Sequence, residues 1–212
     1  MALLDRTPVP PAESAGPAQP GPRTAVGSRR WPWVLAVASL VGIVSGGITI
    51  VDKIALLRDP AAGSFCDVNA QVGCTPVLLA WQSSVLGPPN ALLGVVMFAV
   101  LGTAGLVAAT GGRLSVGFGQ AMVGLSVFFA MFLTWYMVQV AFVIGSLCPF
   151  CTVCAAAVLV AVLATARMSA DDSGRRLQRG LAALRAGRTD ILLVVAWGVV
   201  IAAMLYAGIW IL

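Results

Sequence analysis

Residues 145–167 read Gly-Ser-Leu-Cys-Pro-Phe-Cys-Thr-Val-Cys-Ala-Ala-Ala-Val-Leu-Val-Ala-Val-Leu-Ala-Thr-Ala-Arg. From Cys148 the stretch carries no charge until Arg167 closes it. About 20 such residues as an α-helix match a hydrocarbon layer ~30 Å thick, where the backbone must satisfy its own hydrogen bonds. This predicts a membrane-crossing helix with Cys148 and Cys151 at its mouth.

Outward from it, the pattern repeats. Further apolar spans run from about Trp31 to Val51, Asn90 to Thr110, Val116 to Ile144, and Ile191 to Leu212. The first is too long for the core of a signal peptide, and no small-residue cleavage site follows it. Of 212 residues, 59% are hydrophobic and 10% charged, with a mean hydropathy of +0.96, more apolar surface than a soluble domain of this size can bury. The fold class expected is an all-α integral membrane protein: a four-helix transmembrane bundle plus a fifth, peripheral transmembrane helix. Residues 1–30, rich in Pro, Ala and Gly, read as a disordered tail. Residues 31–167 form the bundle, with an outer loop at 52–87. A basic linker covers 168–190 and the last helix 191–212.

Eleven of the thirteen basic residues fall on one side of these spans; Lys53 and Arg58 fall on the other. The positive-inside rule then predicts a multi-pass protein of the inner (plasma) membrane, N-terminus cytoplasmic and C-terminus outside. The net charge of +5 is therefore a topology signal and does not point to nucleic acid.

The chain has five Cys and no His. Without His, imidazole-based nucleophilic catalysis, bis-His haem and His-containing zinc sites are excluded. Cys66 and Cys74 fall in the long outer segment, and Cys148 and Cys151 at the outer end of the fourth helix, all on the side where disulfides persist. A Cys-x-x-Cys at a helix start closes a small disulfide, and the unpaired N–H groups there favour its first thiolate. Pro149 suits the first helical position because it has no N–H to leave unsatisfied. The blander reading of Cys66 and Cys74 is a structural loop disulfide, but the polar loop between them favours an exchanging one. Cys154, one turn below Cys151, reads as a packing residue. An iron–sulfur ligand run through Cys148, Cys151 and Cys154 ranks low, since no conventional fourth cysteine follows.

Two sulfur pairs need an electron acceptor, and an apolar bundle without haem ligands suits a lipid-soluble quinone. Phe128, Phe129, Phe132, Trp135 and Tyr136 are placed to line such a pocket, though an aromatic run also serves plain packing.

In this order and sidedness, Cys66, Cys74 and Cys148-Pro149-Phe150-Cys151, with Asn90 in Pro88-Pro89-Asn90-Ala91-Leu92-Leu93-Gly94, resemble the bacterial vitamin K epoxide reductase family, in the form without a fused thioredoxin-like domain. The likeness spans about residues 31–167. It implies a quinone-linked thiol oxidoreductase in which Cys66 exchanges with a partner's thiols, Cys74 passes electrons to Cys148, and Cys151 faces the quinone. Asn90 would be the quinone-side asparagine and menaquinone or a related quinone the acceptor. The implied partner is a DsbA-like thioredoxin-fold protein on the outer side, a separate polypeptide since the chain ends at Leu212, so that the pair supports disulfide formation in exported proteins. The sequence departs from the family at Ala80, where Ser or Thr is common, and at Ala155, where the animal enzymes carry a quinone-contacting Tyr.

Residues 78–87 predict a short interfacial helix lidding the pocket, with Trp81 at headgroup depth. The cofactor-binding set is thus Asn90, Trp81, Phe132 and Tyr136, the catalytic set Cys66, Cys74, Cys148 and Cys151, with no resident metal. Two rival readings are a DsbB-type quinone reductase, whose Cys-x-x-Cys belongs to the first outer loop, and a non-enzymatic carrier using thiolates to bind a soft metal ion.

Overall fold

In the computed structural model of the chain, residues 30–112, 114–169 and 189–211 are described. Residues 1–29 of the expected tail at 1–30, Arg113, residues 170–188 of the expected linker at 168–190, and Leu212 lie outside them. Helix α1 spans Arg30–Arg58, α2 Thr75–Leu79, α3 Asn90–Ala109, α4 Val116–Gln139, α5 Pro149–Ser169 and α6 Thr189–Tyr206. Five of these helices are long and apolar enough to cross a membrane, and the protein is an all-α, multi-pass membrane protein. Helix α1 packs along both α3 and α5, and α5 packs along α4, which closes a four-helix bundle. Helix α6, with the π-turn Ala207–Ile211 that follows it, rests outside it against α4 and α5, burying little beyond Ile201, Leu205 and Ile209.

These helices are apolar all round, so no hydrophobic stripe specifies which faces meet. Small residues do that instead. At Gly42 of α1 a Cβ would fall 2.3 Å from the ring of Phe98 on α3, so hydrogen alone lets that ring lie against α1. At the far end of the bundle, Arg167 of α5 pairs with Asp190 of α6, and its guanidinium lies 5.2 Å from the centre of the Trp31 ring on α1. One side chain thereby ties three helices together.

Helix α1 continues to Arg58, past the end of its apolar run at Val51. The polar pair Asp52 and Lys53, expected in the outer loop, is therefore helical and buried. Helix formation continues because the residues that follow, Ile54 to Leu57, are good or tolerable helix formers and both polar side chains find partners. Helix α4 ends in a π-turn, Val140–Ile144, capped by Gly145 in the left-handed region (φ 70°) with its N–H on the Val140 carbonyl. That turn brings the chain back into the bundle at Cys148.

Candidate functional site

The outer loop is organised by a carboxylate. Asp67 accepts hydrogen bonds from the backbone N–H groups of Ser64, Cys74 and Thr75 and from the Thr75 hydroxyl. Burial is the largest single influence and pushes its carboxyl up, but the Thr75 hydroxyl and these N–H groups together outweigh it and hold the group below the usual carboxylate range. The turn so formed places Cys66 and Cys74 with Cα atoms 5.7 Å apart, joined as a disulfide. A short parallel bridge between Val72 and Leu147 pins the loop to the segment before α5, through Leu147 N–H on the Gln71 carbonyl and Gly73 N–H on the Leu147 carbonyl.

That bridge decides the sulfur geometry. Cys74 Sγ lies 3.2 Å from Cys148 Sγ, and both residues are 1% exposed. The sulfurs of Cys66, Cys74 and Cys148 all lie within 4.8 Å of one another. Such a cluster has metal-binding dimensions, but a disulfide offers no thiolate, and two of its three members are disulfide-bonded. Cys148 and Cys151 are free thiols, with Cys151 N–H 3.4 Å from Cys148 Sγ. Pro149 is the first residue of α5, as the sequence predicts. The hydrogen bond from the Cys151 thiol, helped by the Cys151 and Phe150 N–H groups, holds the Cys148 thiol below its ordinary value; burial and the Asp52 charge act in the opposite direction. A lowered thiol leaves more readily in disulfide exchange.

Asp67→Ala removes the loop's common acceptor. Exchange between the two sulfur pairs, followed by gel shift after a pulse of dithiothreitol, is expected to slow about ten- to a hundredfold as the reacting sulfurs drift apart. An unchanged rate would show that the bridge to Leu147 holds Cys74 alone.

Below Cys151 lies a cavity of about 100 Å³ between α1, α3, α4 and α5. Phe98, Phe129 and Phe132 give it apolar walls, and Cys151, Cys154 and Tyr136 form part of its lining. Tyr136 of α4 and Cys151 of α5 thus face one cavity. Asn90, at the start of α3, donates from Nδ2 to the Gln82 carbonyl at 2.7 Å, while its Oδ1 is buried without a partner. An orphaned buried acceptor on a cavity wall is a place for a ligand hydroxyl.

Of the residues singled out from sequence, the four cysteines come together, and Asn90, Phe132 and Tyr136 line the cavity. Trp81 does not. The chain between α2 and the 3₁₀ turn Trp81–Ser84 is extended at Ala80 (ψ 141°), which turns Leu78 and Ser83 toward the cavity and leaves Trp81 68% exposed. Ala155 is buried and does not line the cavity; the tyrosine there is Tyr136, from α4. Sequence reading missed Lys53, which lines the cavity and was counted only as a loop cation. The signal available was a charged pair directly continuing an apolar helix, where polar residues mark function.

No curated protein matches the chain closely enough to serve as a relative. A sequence model of the vitamin K epoxide reductase family matches residues 33–166, the four-helix bundle with its outer loop. That match covers well over half of the chain and every residue of the sulfur cluster, so this membrane protein belongs to the vitamin K epoxide reductase family of thiol–disulfide redox enzymes.

Proposed function

We propose that this protein oxidises the dithiol of a DsbA-like thioredoxin-fold partner and passes two electrons through its paired cysteines to a membrane quinone. The observation that carries the reading is the 3.2 Å approach of Cys74 Sγ to Cys148 Sγ, at a contact where one disulfide and one dithiol meet.

The sulfur chemistry balances at each step. A partner thiolate attacks Cys66 and releases the Cys74 thiolate; the partner's second thiol then completes its own disulfide and releases Cys66. Cys74 next attacks Cys148 in an oxidised Cys148–Cys151 pair, freeing Cys151. Cys66 resolves the mixed disulfide, and Cys148 departs as the thiolate its surroundings favour. The product is a closed Cys66–Cys74 bridge beside a Cys148/Cys151 dithiol, which is the arrangement described above.

A quinone fits the cavity's donors and walls. Flat aromatic faces suit its ring, Asn90 Nδ2 or the Tyr136 hydroxyl can donate to a carbonyl oxygen, and the orphaned Asn90 Oδ1 can accept from the hydroxyl of the reduced form. When bound it supplies the electron sink; the protein holds the ring against Cys151 and keeps water out. With eleven of thirteen basic residues on the opposite side, the sulfur cluster faces the outside of the plasma membrane and the N-terminus faces the cytoplasm. The catalytic unit is the bundle of residues 31–167, with the fifth helix a packing element. The exposed Phe65 and Val68 beside Cys66 offer an apolar landing for the partner's active-site rim.

The test uses the purified full chain, a reduced thioredoxin-fold protein of the DsbA type and menadione. Quinone reduction stoichiometric with partner oxidation is the expected result. Partner oxidation without quinone consumption, or none at all, would defeat the reading.

A further inference from the structure

Lys53 is the one lysine in the chain, and its side chain is 7% exposed at the wall of the cavity that holds Cys151, Asn90 and Tyr136. Its Nζ donates to Ser83 Oγ at 2.6 Å and to Ser84 Oγ at 2.5 Å. The Ser83 hydroxyl is itself directed at the Leu78 and Ala80 carbonyls, each at 2.7 Å, so its lone pairs face the ammonium. An ammonium has three N–H groups, and the serines use two.

No carboxylate pairs with it among the described residues. Asp52, its neighbour on α1, receives the Ser64 hydroxyl, and the ion pair formed among these residues joins Arg167 to Asp190. The other titratable groups on the cavity wall are Tyr136 of α4 and the thiols of Cys151 and Cys154 on α5. A buried cation held only by hydroxyls is costly unless something negative comes to it. Electron delivery to a ring in this cavity creates negative charge a short distance away.

Resting on the quinone-linked function above, we propose that Lys53 is a further catalytic residue, contacting with its free N–H the quinone oxygen on which negative charge builds and donating a proton to it. Oxidation of the Cys148/Cys151 dithiol forms one S–S bond and releases two electrons and two protons, both of which are consumed in forming the hydroquinone. Lys53 gives one proton to the oxygen and is restored by a proton released from the thiols, so the residue is unchanged over a cycle. Ser83 and Ser84 aim the ammonium from the 3₁₀ turn Trp81–Ser84.

The test compares wild type with Lys53→Met and Lys53→Gln in the full chain. The glutamine keeps a donor for the serines without the charge, so it remains informative if the methionine variant fails to fold. Direct binding is measured with lawsone, an anion at neutral pH, and with menadione, which is neutral. Both variants are expected to lose about tenfold or more in lawsone affinity with menadione affinity held within about threefold, and kcat for menadione reduction by dithiothreitol should fall about a hundredfold. Reduction of the Cys66–Cys74 bridge by dithiothreitol without quinone should match wild type. Equal loss for both probes, or kcat retained in both variants, would overturn the proposal. If wild type reduced no menadione, the quinone-linked function would fail instead, and the lawsone comparison would still decide whether Lys53 meets an anion.

Discussion

Cys148→Ser is expected to stop quinone reduction altogether, a loss of at least about ten-thousandfold with either dithiothreitol or a protein dithiol as donor. The reason is atomic. Cys148 is the sulfur that Cys74 reaches, and a hydroxyl in its place can neither be attacked nor close a bond to Cys151. The Cys66–Cys74 bridge remains reducible, so electrons should accumulate there as a dithiol, visible by thiol-trapping gel shift. Cys151→Ser should be equally inactive but give a different trapped species. Cys148 keeps its contact with Cys74 and can attack the Cys66–Cys74 bridge, releasing Cys66, but has no Cys151 to close with, so a Cys74–Cys148 mixed disulfide should appear in exchange with that bridge. Wild-type-like turnover in either variant would mean that electrons leave the loop by another route.

The second large effect separates two donors. Cys66→Ser should abolish oxidation of the thioredoxin-fold partner while preserving reaction with dithiothreitol within about tenfold. A folded partner is too large to reach Cys148, which is 1% exposed beneath the loop, and must work through the loop cysteines. Dithiothreitol is small and flexible enough to reach the inner pair directly. Comparing the rates of the two donors on one variant preparation makes expression level irrelevant. Equal loss of both activities would place Cys66 in the inner transfer and reverse the order of the relay.

In its proposed role, Lys53 ties these sulfur steps to their acceptor. In the proposed relay, electrons leaving Cys151 enter a mostly apolar cavity where Asn90, Tyr136 and Lys53 present polar atoms. The extended backbone at Ala80 turns Leu78 and Ser83 inward, where Ser83 meets Lys53, and leaves Trp81 exposed. An aromatic next to a membrane surface reads from sequence as a lid residue; local backbone geometry gave that place to a serine.

Chain composition by itself determined that the protein is helical and membrane-spanning, because each apolar span is set by the thickness of hydrocarbon and by the need to satisfy its own backbone. It also determined which chemistry was available, since a chain with five Cys and no His leaves sulfur as the reactive element. Tertiary structure alone decided which sulfurs meet and which polar atoms enter the cavity. The Val72–Leu147 bridge joins segments far apart in the chain, and helices that are apolar on every side carry no pattern saying which face turns inward. Lys53 shows the limit most clearly: its charge was plain in the sequence, but its burial follows from α1 running on to Arg58 and from two serines folding over it.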